Sequence, residues 1–270
     1  MFDLGLGCSL DGITGVMDYQ VIDMLEKSAI NTFEFSPWCF FTDYDGEIRN
    51  AFVRMIERSG KKVISYHVPF KQPDDIGDPD EAIRLRAMSR LRAHLHEASR
   101  LGCRYIVVHP STEPIDQTKR DVYISQLRKS MREMEGELKL HNMVLALECL
   151  PRLCMGNSVE ELLKMLDGFD DTFGVCLDVN HLMDKYARLP EFIRTLGKRL
   201  VTVHLCDYDG VDEKHWLPLT GVIDYQAVIR AMAEIGYTGP FNYEISIKGA
   251  TAREQIDKVE ANYLQLKAML

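Results

Sequence analysis

The sequence predicts an α/β fold, specifically a (β/α)8 barrel, the TIM barrel architecture, formed by a single domain over residues 1–270. Three observations carry this expectation. Eight short apolar segments alternate with amphipathic ones, a pattern that argues for a parallel sheet with crossover helices. Along most of the apolar segments, large hydrophobic residues alternate with small or polar ones, so one face is greasy and the other is not. The polar face ends in charged or imidazole side chains at the C-terminal ends of the last four strands. An open sheet covered on both sides would be apolar on both faces. A barrel with a site at its C-terminal mouth has the observed asymmetry.

The eight strand segments are FDLGLGCSL (2–10), TFEFSPW (32–38), KVISYHVPF (62–70), CRYIVVHPS (103–111), MVLALECL (143–150), FGVCLDVNH (173–181), LVTVHLCD (200–207) and PFNYEIS (240–246). Helices are expected to begin near Asp18, Glu47, Pro79, Asp116, Ser158, Leu189, Asp224 and Thr251. Ser158 with Glu161 three residues on reads as a capping box. Gly60, Gly102, Gly168, Gly197 and Gly236 each close a helical pattern before a strand. The open doubly wound sheet is the competing topology, but its G-x-G-x-x-G turn is missing. With Glu148, Asp178, His204 and Glu244 pointing inward, Leu145, Leu147, Phe173, Val175, Val201, Val203, Phe241 and Tyr243 point outward. Glu34, Ser36, Ser65 and His67 join the inward set.

Bulk properties exclude several classes. A net charge of −9 argues against a duplex-DNA surface, which needs cationic side chains to neutralise phosphates. No apolar run approaches the ~20 residues of a membrane span. The N-terminus has no signal-peptide pattern. Seven cysteines without a CxxC pair read as reduced, mostly buried thiols, which fits a cytoplasmic protein.

Glu148, Asp178, His204 and Glu244 form a set of three carboxylates and one imidazole. A charge at the end of a buried strand is costly unless neutralised. Four in phase on successive strands point to one shared divalent cation, and this donor set suits Mn²⁺, Mg²⁺, Co²⁺ or Zn²⁺. The bland alternative is that each is bonded locally. His181, three residues after Asp178, contacts a substrate hydroxyl or second metal, or is a locally bonded helix-start residue. His67 and His109 end the third and fourth strands and point inward, either toward substrate oxygens or further metals, or into structural hydrogen bonds. His215 is a ligand or a surface residue. His94, His96 and His141 read as solvated. Cys176 and Cys206 flank the site as small fillers. Trp38, Phe40, Phe41 and Tyr44 crowd the loop after the second strand, as a lid, a wall for a sugar's apolar face, or an oligomer contact. Arg152 and Lys248 are the cations best placed to meet an anionic group, or are surface charges.

These residues resemble those of the xylose-isomerase-like TIM barrels, in particular the sugar phosphate isomerase/epimerase group. The matching segments are HVPF, VVHPS, LALECLPR, LDVNH, VHLCDYDG, HWLPLTGVIDY and GYTGPFNYEIS, in order across roughly two-thirds of the chain. The D-x-x-H of Asp178 and His181, the H-x-x-D of His204 and Asp207, and the GP-x-x-x-E ending at Glu244 are the most specific. The resemblance implies one divalent metal on Glu148, Asp178, His204 and Glu244, with Glu148 and Glu244 doubling as acid/base groups. It implies a small carbohydrate substrate reacting through an enediolate, with His181 holding a hydroxyl. A dimer or tetramer is a family trait on which the sequence itself is silent. Leu219-Thr220-Gly221 departs from the Gly-x-Gly run of many relatives. A dehydratase of inosose-type keto-polyols lies one chemical step away. An apurinic-site endonuclease shares the barrel but needs three metals and a further Asp-x-His, where this chain has Glu213-Lys214-His215. A non-catalytic sugar binder is the third alternative.

Overall fold

A computed structural model describes residues 5–71 and 75–269 of the chain. The strands are β1 (Leu6–Ser9), β2 (Thr32–Phe35), β3 (Lys62–His67), β4 (Tyr105–Val108), β5 (Val144–Glu148), β6 (Phe173–Asp178), β7 (Leu200–His204) and β8 (Phe241–Tyr243). Each is followed by a helix: α1 (Tyr19–Lys27), α2 (Glu47–Ser59), α3 (Glu81–Arg100), α4 (Arg120–Leu140), α5 (Val159–Leu166), α6 (Leu189–Leu196), α7 (Tyr225–Glu234) and α8 (Ala252–Lys267). The strands pair in parallel in the order β7-β6-β5-β4-β3-β2-β1-β8. The remaining seam is closed just beyond β7, where Leu205 N–H donates to Asn242 O (2.8 Å) and Leu205 O accepts from Glu244 N–H (3.1 Å). This is the expected barrel. Residues 2–4 of the first predicted strand lie outside the described residues.

Helix starts follow the local chemistry. Asp18, Asp80, Asp224 and Thr251 are N-caps whose side chains accept backbone N–H groups of the first turn. The capping box, however, forms at Thr251 and Glu254 rather than at Ser158. Ser158 does accept from Glu161 N–H, but the Glu161 carboxylate turns to Gly156 N–H (2.6 Å) and to Arg120. A guanidinium within reach outcompetes the weaker return bond. Gly102 and Gly236 end α3 and α7 with φ of 76° and 68°, the left-handed turn expected of helix-terminal glycines.

The parity expectation holds for most strands. Leu145, Leu147, Phe173, Val175, Val203, Phe241 and Tyr243 are buried in one continuous layer between strands and helices. Fully burying each such side chain is worth about 1.5–3 kcal/mol. Glu34, Ser65, His67, Glu148, Asp178, Thr202 and His204 are buried on the opposite, axial face. Val107, Ala146 and Cys176 form a small separate apolar plug on that face. Val201 departs from the prediction. The β6–β7 register skips it, pairing Val175 with Leu200 and Cys176 with Thr202. This irregularity packs Val201 against the plug instead of the helical layer. Gly174 accommodates it, because a Cβ there would lie 2.6 Å from Val201 Cγ1.

The close fit generates a test. Gly174→Ala is expected to destabilise the fold by about 1–3 kcal/mol through overpacking. The same change should cost less in a Val201→Ala background, measured as coupling in urea denaturation. Equal costs in both backgrounds would contradict this packing.

Candidate metal centre and active site

Each of the four principal side chains is delivered by a strand end. Glu148 ends β5, Asp178 ends β6, His204 ends β7 and Glu244 follows β8 directly. Asp178 and His204 are register partners across adjacent strands. His204 Nδ1 lies 3.3 Å from Glu148 Oε1 and 2.8 Å from Glu244 Oε2. One ligand atom from each of the four residues lies within 4.8 Å of the others. Asp178 Oδ2 and Glu244 Oε2 are buried yet accept no hydrogen bond. Buried carboxylate oxygens normally find a donor. Convergent oxygens without donors, beside an imidazole nitrogen, fit a divalent cation. The sequence-predicted set thus comes together in space.

The surrounding imidazoles are oriented by carbonyls. His67 Nδ1–H donates to Val68 O (3.0 Å), which directs Nε2 to Glu148 Oε2 (3.1 Å). His181 Nδ1–H donates to Cys149 O (2.8 Å), which turns Nε2 toward Asp178 Oδ2 (3.7 Å) and Glu213 Oε1 (3.4 Å). His109 Nε2 also reaches Glu148 Oε2 (3.1 Å). His215 lies 3.8 Å from Asp178 Oδ2 and 3.2 Å from Glu213 Oε1. Three further groupings with metal-ligand spacing therefore overlap the first among the described residues: His67, His109 and Glu148; His67, His204 and Glu244; and Asp178, His181 and His215.

Charge follows from this interleaving. Burial alone raises the Glu148 carboxyl, but His109 and His204 outweigh it and hold the group well below the carboxylate range. Glu244 behaves likewise, with His204 and His215 overcoming burial. Burial wins at Asp178, whose pKa is raised although His181 and His215 oppose the shift. For His67, burial is overcome by the Glu148 carboxylate and the pKa rises to about 9. His181 also rises to about 9, through Asp178 and Glu213.

The site opens into a cavity of about 400 Å³ lined by Phe70, His109, Arg152, His181, His215 and Glu244, among others. Arg152 is on its wall, but its guanidinium is already paired with Glu113 (2.7 Å) and Glu213 (2.8 Å). Lys248 is exposed and outside the lining. Trp38 stands edge-on behind His67, with ring centroids 5.4 Å apart, and is not on the wall. Phe40 is core, while Phe41 and Tyr44 face solvent. The aromatic wall is supplied instead by Phe70, stacked on His109 at 4.1 Å. Phe70 ends the apolar segment KVISYHVPF three residues after His67, a spacing that does not mark it as facing the site. Cys206 lies 3.5 Å from Asp178 Oδ1, and Cys176 is buried in the plug. His96 is exposed, as predicted, whereas His94 bonds Tyr66 Oη (2.8 Å) and His141 bonds Ser99 Oγ (2.9 Å).

The loop after β7 delivers His215. Asp207 and Trp216 exchange backbone hydrogen bonds (2.7 and 3.1 Å), turning the chain back over the mouth. The Asp207 carboxylate then accepts from the N–H groups of Tyr208, Gly221 and Ile223. The Leu219-Thr220-Gly221 run is held by this staple, with Leu219 at φ 70°.

The model of the xylose isomerase-like TIM barrel family matches residues 22–265. An uncharacterised protein of Sinorhizobium fredii, y4fM, is 26% identical over 60% of this chain, a stretch that spans 53% of that protein. Inosose isomerase of Bacillus velezensis is 23% identical over 70% of this chain and 74% of its own length. Among solved structures, IolI protein with a binding zinc atom has a TM-score of 0.85 at 16% identity, covering 98% of both chains. D-psicose 3-epimerase in the presence of D-fructose has a TM-score of 0.80 at 16% identity, covering 98% of this chain and 97% of the other. At these identities the structural likenesses establish the barrel. The family match, which runs from α1 to α8, establishes more: the chain belongs to the xylose isomerase-like TIM barrel family.

Proposed function

We propose that the chain is a divalent-metal-dependent isomerase or epimerase of a keto-sugar, with Glu148 and Glu244 as its acid/base pair. One observation carries this reading: two carboxylates share a single donor cluster at the floor of a sugar-sized cavity, and Glu244 Oε2 has no hydrogen-bond donor. A cation held by Glu148, Asp178, His204 and Glu244 would polarise a ketone oxygen and its neighbouring hydroxyl, and so acidify the intervening C–H. Both glutamates are held in the low-pKa, ionised form that a proton acceptor requires. One removes the carbon-bound proton; the other returns a proton. Return to the same carbon from the opposite side inverts it, and return to the neighbouring carbon moves the carbonyl. His67 and His109 fix the second oxygen of Glu148. His181 and His215 line the cavity and offer ring nitrogens to substrate hydroxyls. Relatives described as an inosose isomerase and a D-psicose 3-epimerase support the keto-polyol class. Loss of hydroxide after the same deprotonation would make the enzyme a dehydratase.

The overlapping clusters around Glu148 and Asp178 favour a second reading, the three-metal apurinic-site endonuclease. Glu213 and His215 both approach His181, so Glu213 takes the place of the aspartate in the Asp-x-His motif. Against it, Arg152 at the cavity wall is neutralised by two carboxylates, and the chain carries a net charge of −9.

Glu148→Gln and Glu244→Gln should each lower turnover by about 10²–10⁴-fold with an unchanged far-UV circular dichroism spectrum. The measurement is solvent-deuterium incorporation by NMR across ketoses and inosose, and wild-type turnover in either variant contradicts the pair mechanism. Elemental analysis of the purified protein should find about one divalent ion per chain, the expectation for one four-ligand centre. A value near three transfers support to the nuclease.

A further inference from the structure

Glu34 is completely buried on the axial face of β2, far in sequence from the four principal residues. Ser65, its register partner on β3, donates its hydroxyl to Glu34 Oε2 (2.9 Å). The β2–β3 pairing slips by one residue between Phe33 and Glu34, and this slip brings Ser65 opposite the carboxylate. Across the barrel axis, His204 Nε2 lies 3.0 Å from Glu34 Oε1 and 3.2 Å from Oε2. The other ring nitrogen, Nδ1, is the one that faces Glu148 and Glu244. An imidazole that ligates through one nitrogen needs its proton on the other, and a carboxylate acceptor fixes both the tautomer and the ring plane.

We infer that Glu34 is a positioning residue: it accepts the Nε2–H of His204, and so presents the Nδ1 lone pair to the cation site. This inference rests on the proposed cation site and adds a member that touches neither cation nor substrate. The role also explains an otherwise costly burial. A fully enclosed carboxylate near Glu148 and Glu244 would be repelled by both, yet among the described residues the donors that reach it are a ring N–H and a serine hydroxyl. Replacing it should cost cation affinity without removing a ligand.

The test uses Zn²⁺ alone, titrated against a competing chelator, with the full chain and three variants. His204→Ala should abolish tight binding. Glu34→Leu and Glu34→Gln should each weaken it about 10–100-fold, the usual effect of an outer partner on a metal-bound histidine. Long-range ¹H–¹⁵N spectra of the zinc-loaded wild type should show His204 protonated at Nε2 only. In the Glu34 variants, that Nε2 resonance should shift and its proton should exchange faster with water, a change that mere loss of packing would not produce. Should Glu34→Leu fail to fold, Glu34→Gln keeps the shape and decides alone. Wild-type affinity in the folded Glu34 variants, with binding lost in His204→Ala, overturns the role of Glu34 and leaves the cation site standing. Absence of Zn²⁺ binding by the wild type overturns both.

Discussion

The enclosure of many ionisable groups at one end of the barrel is the constraint on which the rest depends. Glu34, Glu148 and Asp178 are buried, and Glu244 nearly so, within contact of the same imidazoles. An isolated carboxylate in such surroundings would not stay ionised. Here each is matched: Glu148 by His67, His109 and His204, Glu244 by His204, and Asp178 by the more distant His181 and His215. Among these four carboxylates, Asp178 Oδ2, Glu244 Oε2 and Glu34 Oε1 approach imidazoles but accept no hydrogen bond. Two of them belong to residues of the four-member donor cluster, whereas Glu34 Oε1 faces the other ring nitrogen of His204.

The fold serves this concentration by separating two kinds of interior. Bulky apolar side chains occupy the layer between strands and helices, where they supply the stability. The axial space is given to short or polar groups, with Val107, Ala146, Cys176 and the displaced Val201 as an apolar plug among the described residues. Donors can therefore converge on the axis without large side chains intervening. The mouth is then walled by chain that follows the strands: Phe70 after β3, Arg152 after β5, His181 after β6 and His215 after β7.

Much of this was legible in the residue pattern because strand alternation is a local property. Parity alone placed Glu148, Asp178, His204 and Glu244 on one face, and barrel closure then had to bring them together. What parity could not provide was contact between elements distant in sequence. Glu34 was recognisably inward, yet its partner His204 is 170 residues away. Val201 was misplaced because a register slip breaks the alternation from which its direction was read. Trp38 was misread as a wall and Phe70 was overlooked for a related reason: loop aromatics have no period, so the packed structure alone distinguishes a support from a wall. Glu161 was diverted from its cap by Arg120, an encounter between neighbouring helices that no local motif encodes.

The join between β7 and β8 has a mechanical consequence. Among the described residues only Leu205 bridges it, with one bond given and one accepted, and the residues beside that bridge are His204 and Glu244. A bound ion gripping both would act as a clasp across the weakest line of the cylinder. Retention of the ion and integrity of the circle would then draw on the same free energy, so that loosening one end of the molecule would unfasten its chemistry as well as its shape.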